Sequence, residues 1–433
     1  MSELKTTERL GRRERAILVG VLLPDGEFNP DEPLDEIGGL ARTAGLQIVG
    51  SLTQKRVQPD IATYIGSGKV VELKELVLAH EADLVAFDND LGPAQVRNLE
   101  KAIGVKVIDR TEVILDIFAT RARTHEAHLQ VELAQLEYAL PRLKRLWTHL
   151  SRYKGGIGVR GPGEKQLEED RRLVGKRIQD LKEKLEKIQS RKEREVAGRN
   201  ESFTVSLVGY TNAGKSTLMN ALTDAGVFVE DQLFATLDTR TRRWNFRGGG
   251  HVLLSDTVGF IRNLPHSLVA SFKATLEEAR QADLLLHVVD ASSPEAEKQV
   301  QAVNAVLDEL GLKEQPTVLV LNKADQVPDR SFLDVLRAHH ENSVVVSAAK
   351  GEGLDRLEQA VREALHEQAL DAEVETNVGD GRLLAYLAQH AQVRKRTYTD
   401  DRVTILCRLP RRCLDFLHEH GVNVRSDGER MYA

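Results

Sequence analysis

The chain has 433 residues, 41% of them hydrophobic and 29% charged, with a net charge of −6. That length accommodates about three domains, and the composition is ordinary for a soluble globular protein. No apolar run reaches the length that spans a bilayer, and the polar residues 1–15 hold no apolar signal core, which excludes a membrane-spanning or signal-bearing reading. The cytosol is the expected location, with partial membrane association as the second reading.

Residues 15–118 alternate in type. Runs 16–23, 47–52, 83–87 and 105–108 read as strands, and 31–44, 67–80, 93–103 and 112–119 read as helices. This alternation predicts a small, mainly parallel α/β domain over residues 1–118. It carries no phosphate loop. Gly66-Ser-Gly68 reads as a helix-start turn, and Asp88-Asn-Asp90 as a strand-end loop with helix capping rather than metal ligands.

Residues 119–199 form a helical subdomain. Leu129, Leu133, Leu136, Leu140, Leu143, Trp147 and Leu150 step alternately by four and three, as do Val174, Ile178, Leu181, Leu185 and Ile188. Both are heptad seams, which predict a long antiparallel helical hairpin, kinked at Pro141. Dimerisation through the seams is the alternative to a monomer. Residues 119–200 hold 20 Lys and Arg against 12 Asp and Glu, so this segment carries +8 and the rest of the chain −14. No acid lies between Glu137 and Glu164, where Arg142, Lys144, Arg145, Arg152, Lys154 and Arg160 interleave with Trp147 and Tyr153. The tip itself runs Gly155-Gly-Ile-Gly158-Val-Arg160-Gly161-Pro-Gly163. Cations, aromatics and bare backbone suit RNA phosphates and bases. A flexible connector with solvated charges is the plainer reading, and the long run without acids weighs against it.

Residues 200–368 carry the nucleotide motifs. The apolar run 203–208 reads as a strand leading into Gly209-Tyr210-Thr211-Asn212-Ala213-Gly214-Lys215-Ser216-Thr217, which fits G-x-x-x-x-G-K-[ST]. Asp256-Thr-Val-Gly259, Asn322-Lys323-Ala-Asp325 and Ser347-Ala348-Ala349-Lys350 follow in order. Each part answers a demand of the ligand. The glycines let backbone N–H groups converge on phosphates at a helix start. Lys215 suits the β- and γ-phosphates, and the Ser216 hydroxyl suits Mg²⁺. Asp256 suits a metal-bound water, and the Gly259 N–H can sense the γ-phosphate. Asp325 offers acceptor oxygens to the paired donors on guanine's Watson–Crick edge, which adenine lacks. Asn322 would brace the loop, the Lys323 stem would cover the base, and the Ser347–Ala348 backbone would donate to the guanine oxygen.

Residues 369–433 begin with an acidic linker at 371–380, followed by a helix at 382–392, a strand at 402–409 and a helix at 411–420. This is a small α+β domain, with Arg394-Lys-Arg396 and Arg411-Arg412 as a modest basic patch. Cys407 and Cys413 form no ligand pattern and suit a reducing compartment.

The chain resembles the HflX GTPases, a translation-factor-related class of P-loop GTPases. The resemblance rests on the block from Gly155 to Arg172, GGIGVRGPGEKQLEEDRR, on the run from Phe118 to His125, on the run from Val131 to Tyr138, and on Asp256-Thr-Val-Gly-Phe-Ile261. It covers essentially the whole chain, with departures at Val159, Lys165 and Glu169. It implies a multidomain α/β protein: N-terminal α/β domain, helical hairpin, Ras-like P-loop GTPase domain and short C-terminal domain. It also implies binding of GTP and GDP, Mg²⁺ as cofactor, and Thr236 as a switch residue for Mg²⁺ and the γ-phosphate. A monovalent cation such as K⁺ at Asn212 is implied too, beside the reading in which Asn212 only braces the turn. The implied partners are the large ribosomal subunit and 70S ribosomes, and the implied activity is GTP-dependent splitting or rescue of stalled ribosomes. Phe260 stands where many GTPases carry Gln, so slow intrinsic hydrolysis is expected. Two other classes stay open: an RNA-binding or helicase-like enzyme that also uses ATP, and a GTP-loaded switch that binds without remodelling. Asp325 favours guanine, and no helicase motif set is visible.

Overall fold

A computed structural model describes residues 13–24, 32–146, 162–197, 203–223, 233–234, 240–247, 249–262, 278–340, 342–367, 369–399, 401–410, 417, 423–426 and 429–430. The chain divides into two compact units.

The first unit holds β1 (Arg15–Leu22), α1 (Asp35–Thr43), β2 (Gln47–Lys55), α2 (Ser67–Ala79), β3 (Leu84–Phe87), α3 (Pro93–Ile103), β4 (Lys106–Ile108) and α4 (Arg110–Arg121). The sheet is parallel, in the order β2-β1-β3-β4. Its central strands read as continuous apolar runs because helices cover both faces. Local chemistry sets the helix ends. Pro93 opens α3 and Gly104 closes it in the left-handed region at φ 91°. Asp109 caps α4 by accepting from the Glu112 N–H at 2.9 Å. Gly66 begins α2 as the helix-start turn expected for it.

Asp88-Asn-Asp90 ties elements together rather than capping a helix. Asp88 meets the buried Arg110 guanidinium at 2.6 Å, Asn89 Oδ1 accepts from Val21 N–H at 2.8 Å, and Asp90 accepts from Thr111 at 2.6 Å. Arg110 also pairs with Glu36 at 3.0 Å. Removing one partner would strand a buried charge, at a cost of about 3–5 kcal/mol.

The two heptad stretches are helices, α5 (His125–Leu146) and α6 (Pro162–Ala197), and α5 runs through Pro141. Leu129, Leu133 and Leu181 are buried. Arg177 grips both carboxylate oxygens of Glu132 at 2.7 Å, and Lys182 meets Glu137 at 2.8 Å. These exposed pairs set register more than stability, since such bridges contribute about 0–1 kcal/mol.

The second unit contains a six-stranded sheet and a five-stranded one. The first is built from β5 (Thr204–Gly209), β6 (Arg240–Asn245), β7 (His251–Asp256), β8 (Leu284–Asp290), β9 (Thr317–Asn322) and β10 (Ser343–Val345), in the order β10-β9-β8-β5-β7-β6. Only β6 runs antiparallel to its neighbour. Its helices are α7 (Lys215–Thr223), α8 (Ala296–Glu309), α9 (Arg330–His339) and α10 (Leu354–Glu367). Strands β5, β8 and β9 are adjacent and parallel, so their carboxyl ends open on one edge of the sheet.

The C-terminal part corrects the sequence reading. The acidic stretch expected as a linker is β11 (Ala369–Asn377), paired with β13 (Arg402–Pro410) and β14 (Asn423–Ser426). After α11 (Gly381–His390) comes β12 (Gln392–Thr399), a strand the sequence reading missed, and β15 (Glu429–Arg430) completes the sheet. Acid and base alternate with core residues here. Ala372, Val374, Val403, Ile405 and Leu409 are buried, while Glu375 pairs with Arg402 at 2.8 Å. The expected helix at 411–420 lies largely outside the described residues. Among those residues no helix is long and apolar enough to cross a membrane.

Candidate nucleotide site

Gly209 ends β5 at φ 147° and Gly214 stands at 89°, two values that side chains rarely adopt. At Gly214 a Cβ would also run into the Asn322 amide. Asn212 lies between them at φ 60°, in the left-handed region where Asn is enriched. That backbone demand accounts for the residue type. Its side chain makes no hydrogen bond to the protein among the described residues.

The end of β7 locks onto this loop. Phe260 N–H donates to Gly209 O at 3.0 Å, Thr211 N–H to Phe260 O at 2.7 Å, and Arg262 N–H to the Tyr210 hydroxyl at 3.0 Å. Sequence reasoning placed Tyr210 among the nucleotide-binding residues and did not foresee this latch. Phe260 is buried, as an apolar side chain must be here, and presents no group to a water. A Cβ on Gly259 would press within 2.8 Å of the Thr211 backbone and 3.1 Å of Lys215 Nζ. Only glycine brings the 259 N–H this close to the loop.

Lys215 opens α7 almost fully buried, with Nζ donating to Gly209 O at 3.0 Å and Tyr210 O at 2.8 Å. Burial pushes its ammonium down to about 8, against the opposing pull of Asp256. The Ser216 hydroxyl donates to Asp256 Oδ2 at 2.6 Å, which brings together two hard oxygen ligands from α7 and β7.

The far side of the crevice is tied in by Asn322. Its amide Nδ2 donates to Ala213 O at 2.9 Å, and its Oδ1 accepts from Ala348 N–H at 3.0 Å. The expected bracing role therefore has a geometry: Asn322 joins three motifs. Ala348 N–H is spent on Asn322 and Ser347 N–H on Glu352 O, which leaves Ala349 N–H without a partner among the described residues. Asp325 Oδ1 accepts from the Ser347 hydroxyl at 2.7 Å, so one of its oxygens is taken, and Oδ2 has no partner among the described residues. Lys323, at φ 59°, is held by Asp290 at 2.7 Å. Asp290 was not anticipated, although it ends a strand as Asp256 does.

The expected RNA-contacting residues fare differently. Arg142 donates to Asp109 Oδ2 at 2.8 Å and Leu91 O at 3.1 Å, and lies 3.3 Å from the centre of the Tyr138 ring. Its charge neutralises a carboxylate with no exposed surface, so it anchors the C-terminal end of α5 instead of standing free for a partner. Lys144 and Arg145 lie on α5, with side chains outside the described residues. Arg152, Lys154, Arg160 and Thr236 lie wholly outside them.

Three family models match in series: GTP-binding GTPase N-terminal over residues 31–119, GTP-binding GTPase Middle Region over 121–199, and 50S ribosome-binding GTPase over 204–323. GTPase HflX of Escherichia coli K12 is 46% identical over 407 residues, covering 93% of this chain and 95% of that protein. The chain belongs to the HflX family of GTPases. GTPase HflX of Caldanaerobacter subterraneus is 49% identical over 365 residues, covering 83% of each chain. Among solved structures, a GTP-binding protein of Sulfolobus solfataricus in complex with GDP is 24% identical with a TM-score of 0.44, covering 81% of this chain and 98% of that one. As an HflX-family member this chain is a GTPase, and the crevice described above is where its four nucleotide motifs meet.

Proposed function

We propose that the chain binds Mg²⁺·GTP in this crevice, hydrolyses it slowly alone, and uses it to bind the large ribosomal subunit and split 70S ribosomes. The observation that supports the nucleotide reading is the Asn322 bridge, which fixes phosphate loop and base loop as one body. Phosphates replace the two carbonyls now bonded to Lys215, and Ser216 with Asp256 fits a Mg²⁺ ion, the carboxylate acting through water. Bound Mg²⁺ supplies charge neutralisation at the β- and γ-phosphates. Ala349 N–H is the donor left for the guanine oxygen. Thr236 completes the switch.

Lys215 makes binding pH-dependent. The phosphates need its protonated form, and the free site loses that proton above about pH 8. The bound state then holds more protons than the free one, so GTP affinity falls as pH rises through 8. Titration above pH 8 in buffers of different ionisation enthalpy is expected to show net proton uptake on GTP binding. Uptake that persists in Lys215→Ala would assign the proton elsewhere.

The Asn212 amide has no hydrogen-bond partner among the described residues, and an oxygen in the phosphate loop suits a monovalent cation. Basal hydrolysis is expected to run faster in K⁺ than in Na⁺ at equal ionic strength. Equal rates would leave Asn212 with its backbone role alone.

Ribosome binding rests on the basic, glycine-rich segment between α5 and α6. With Arg142 reassigned, Arg145, Arg152, Lys154 and Arg160 carry the prediction. Their joint replacement by Ala should weaken 70S binding and flatten its salt dependence by roughly 0.9 per lost phosphate contact. Basal GTPase activity should persist. Sedimentation of 70S particles with GTP or a non-hydrolysable analogue reads the outcome and separates splitting from binding alone. Undiminished splitting by the variant would refute the assignment.

A further inference from the structure

The edge strand β12 carries chemistry that neither the nucleotide crevice nor the α5–α6 segment uses. It ends the sheet on one side and pairs only with β13 among the described residues. Residues 394–399, Arg-Lys-Arg-Thr-Tyr-Thr, are all exposed. No acid occurs between 392 and 399.

A bulge sets their directions. The register jumps between Val393, opposite Cys407, and Lys395, opposite Leu406, so Arg394 is the extra residue. Without the jump, Lys395 would share the face of buried Cys407. With it, Lys395 joins half-exposed Leu406 on the open face, and Arg394 reaches Asp371 at 3.2 Å on that same face. Arg396, opposite buried Ile405, and Tyr398, opposite buried Val403, stand on the other face, but both reach past the core at the sheet's free edge and are exposed, Tyr398 at 61%. A strand lying along that edge meets Lys395 from one side and Arg396 and Tyr398 from the other. Arg394 is therefore partly neutralised, whereas Lys395 and Arg396 have no ion-pair partner among the described residues.

Exposed edges are commonly protected by charged side chains, lysine especially, and by bulges. That need does not call for consecutive cations together with an exposed tyrosine and two threonine hydroxyls. Cations for phosphates, a ring for a base and hydroxyls for sugar or phosphate oxygens together match one ligand class. We propose that β12 is a binding edge for single-stranded RNA, with Lys395 and Arg396 on phosphates and Tyr398 stacking a base. This site lies in a different domain from the α5–α6 segment and does not depend on ribosome splitting.

The test uses the full chain in the background Arg145, Arg152, Lys154 and Arg160→Ala, with a fluorescein-labelled oligouridine of about 12 nucleotides as probe. Lys395→Ala/Arg396→Ala should flatten the slope of log affinity against log salt by about 1.4, two single-strand contacts' worth. Tyr398→Ala should weaken binding at least about fivefold with the slope unchanged. The charge-keeping exchange Lys395→Arg/Arg396→Lys should retain both affinity and slope, which separates lost contacts from a misfolded domain. Unchanged affinity and slope in the alanine pair overturns the proposal. If that pair binds the oligonucleotide normally yet loses affinity for 50S particles, an acidic protein segment occupies the edge instead, and the RNA assignment falls equally.

Discussion

Asp325→Asn is expected to lower GTP affinity by about 10⁴-fold and to raise affinity for xanthosine triphosphate. The geometry makes the direction specific. Ser347 holds Oδ1 of the carboxylate at 2.7 Å, and its hydroxyl can hold the Asn carbonyl oxygen in the same way. The atom left facing the base is then Nδ2, a donor in place of Oδ2, an acceptor. Guanine meets that donor with donors of its own, and two unsatisfied groups are buried together. Xanthine carries a carbonyl at the position of guanine's amino group and accepts from it. Calorimetric titration with both nucleotides reads the exchange. GTP binding at parental affinity would remove Asp325 from the base site.

Ser216→Ala and Lys215→Ala should each lower GTP turnover at least about 10²-fold while the domain stays folded. The two act differently. In the proposed Mg²⁺ site the Ser216 hydroxyl, 2.6 Å from Asp256, would be the direct ligand, so its loss leaves only the water-mediated carboxylate and high Mg²⁺ should partly restore the rate. Lys215 supplies charge at the phosphates, and no metal concentration substitutes for it. The measurement is turnover against Mg²⁺ concentration, with circular dichroism to confirm the fold. Parental rates in either variant would mean that the phosphates sit elsewhere.

Much of this was legible in sequence because the signals are local. Four strands of the first unit fall within three residues of their expected limits, since continuous apolar runs bounded by polar turns mark buried strands wherever they occur. The phosphate loop was legible for the same reason: Gly209 and Gly214 answer a backbone demand that their own φ values display. The C-terminal strands were not. β11 reads Ala-Leu-Asp-Ala-Glu-Val-Glu-Thr-Asn, and its acids suggest a solvated linker until β13 supplies the opposite face and Arg402 its counter-charge.

By itself the sequence determined which ligand parts this protein can recognise, because donor type, charge and glycine freedom belong to individual residues. It determined the order of the motifs and the strands that carry them. The tertiary structure decided which of those groups stay available. Arg142 looked like a free cation among cations, but the fold brings it to Asp109, 33 residues earlier, and burial makes that pairing compulsory. Ala348 offered an N–H to a base, but Asn322 claims it from 26 residues away. Lys395 owes its place on the open sheet face to a bulge defined only against β13. Each of these outcomes is a competition between partners distant in the chain, and only the packed strands and helices fix which partner is within reach.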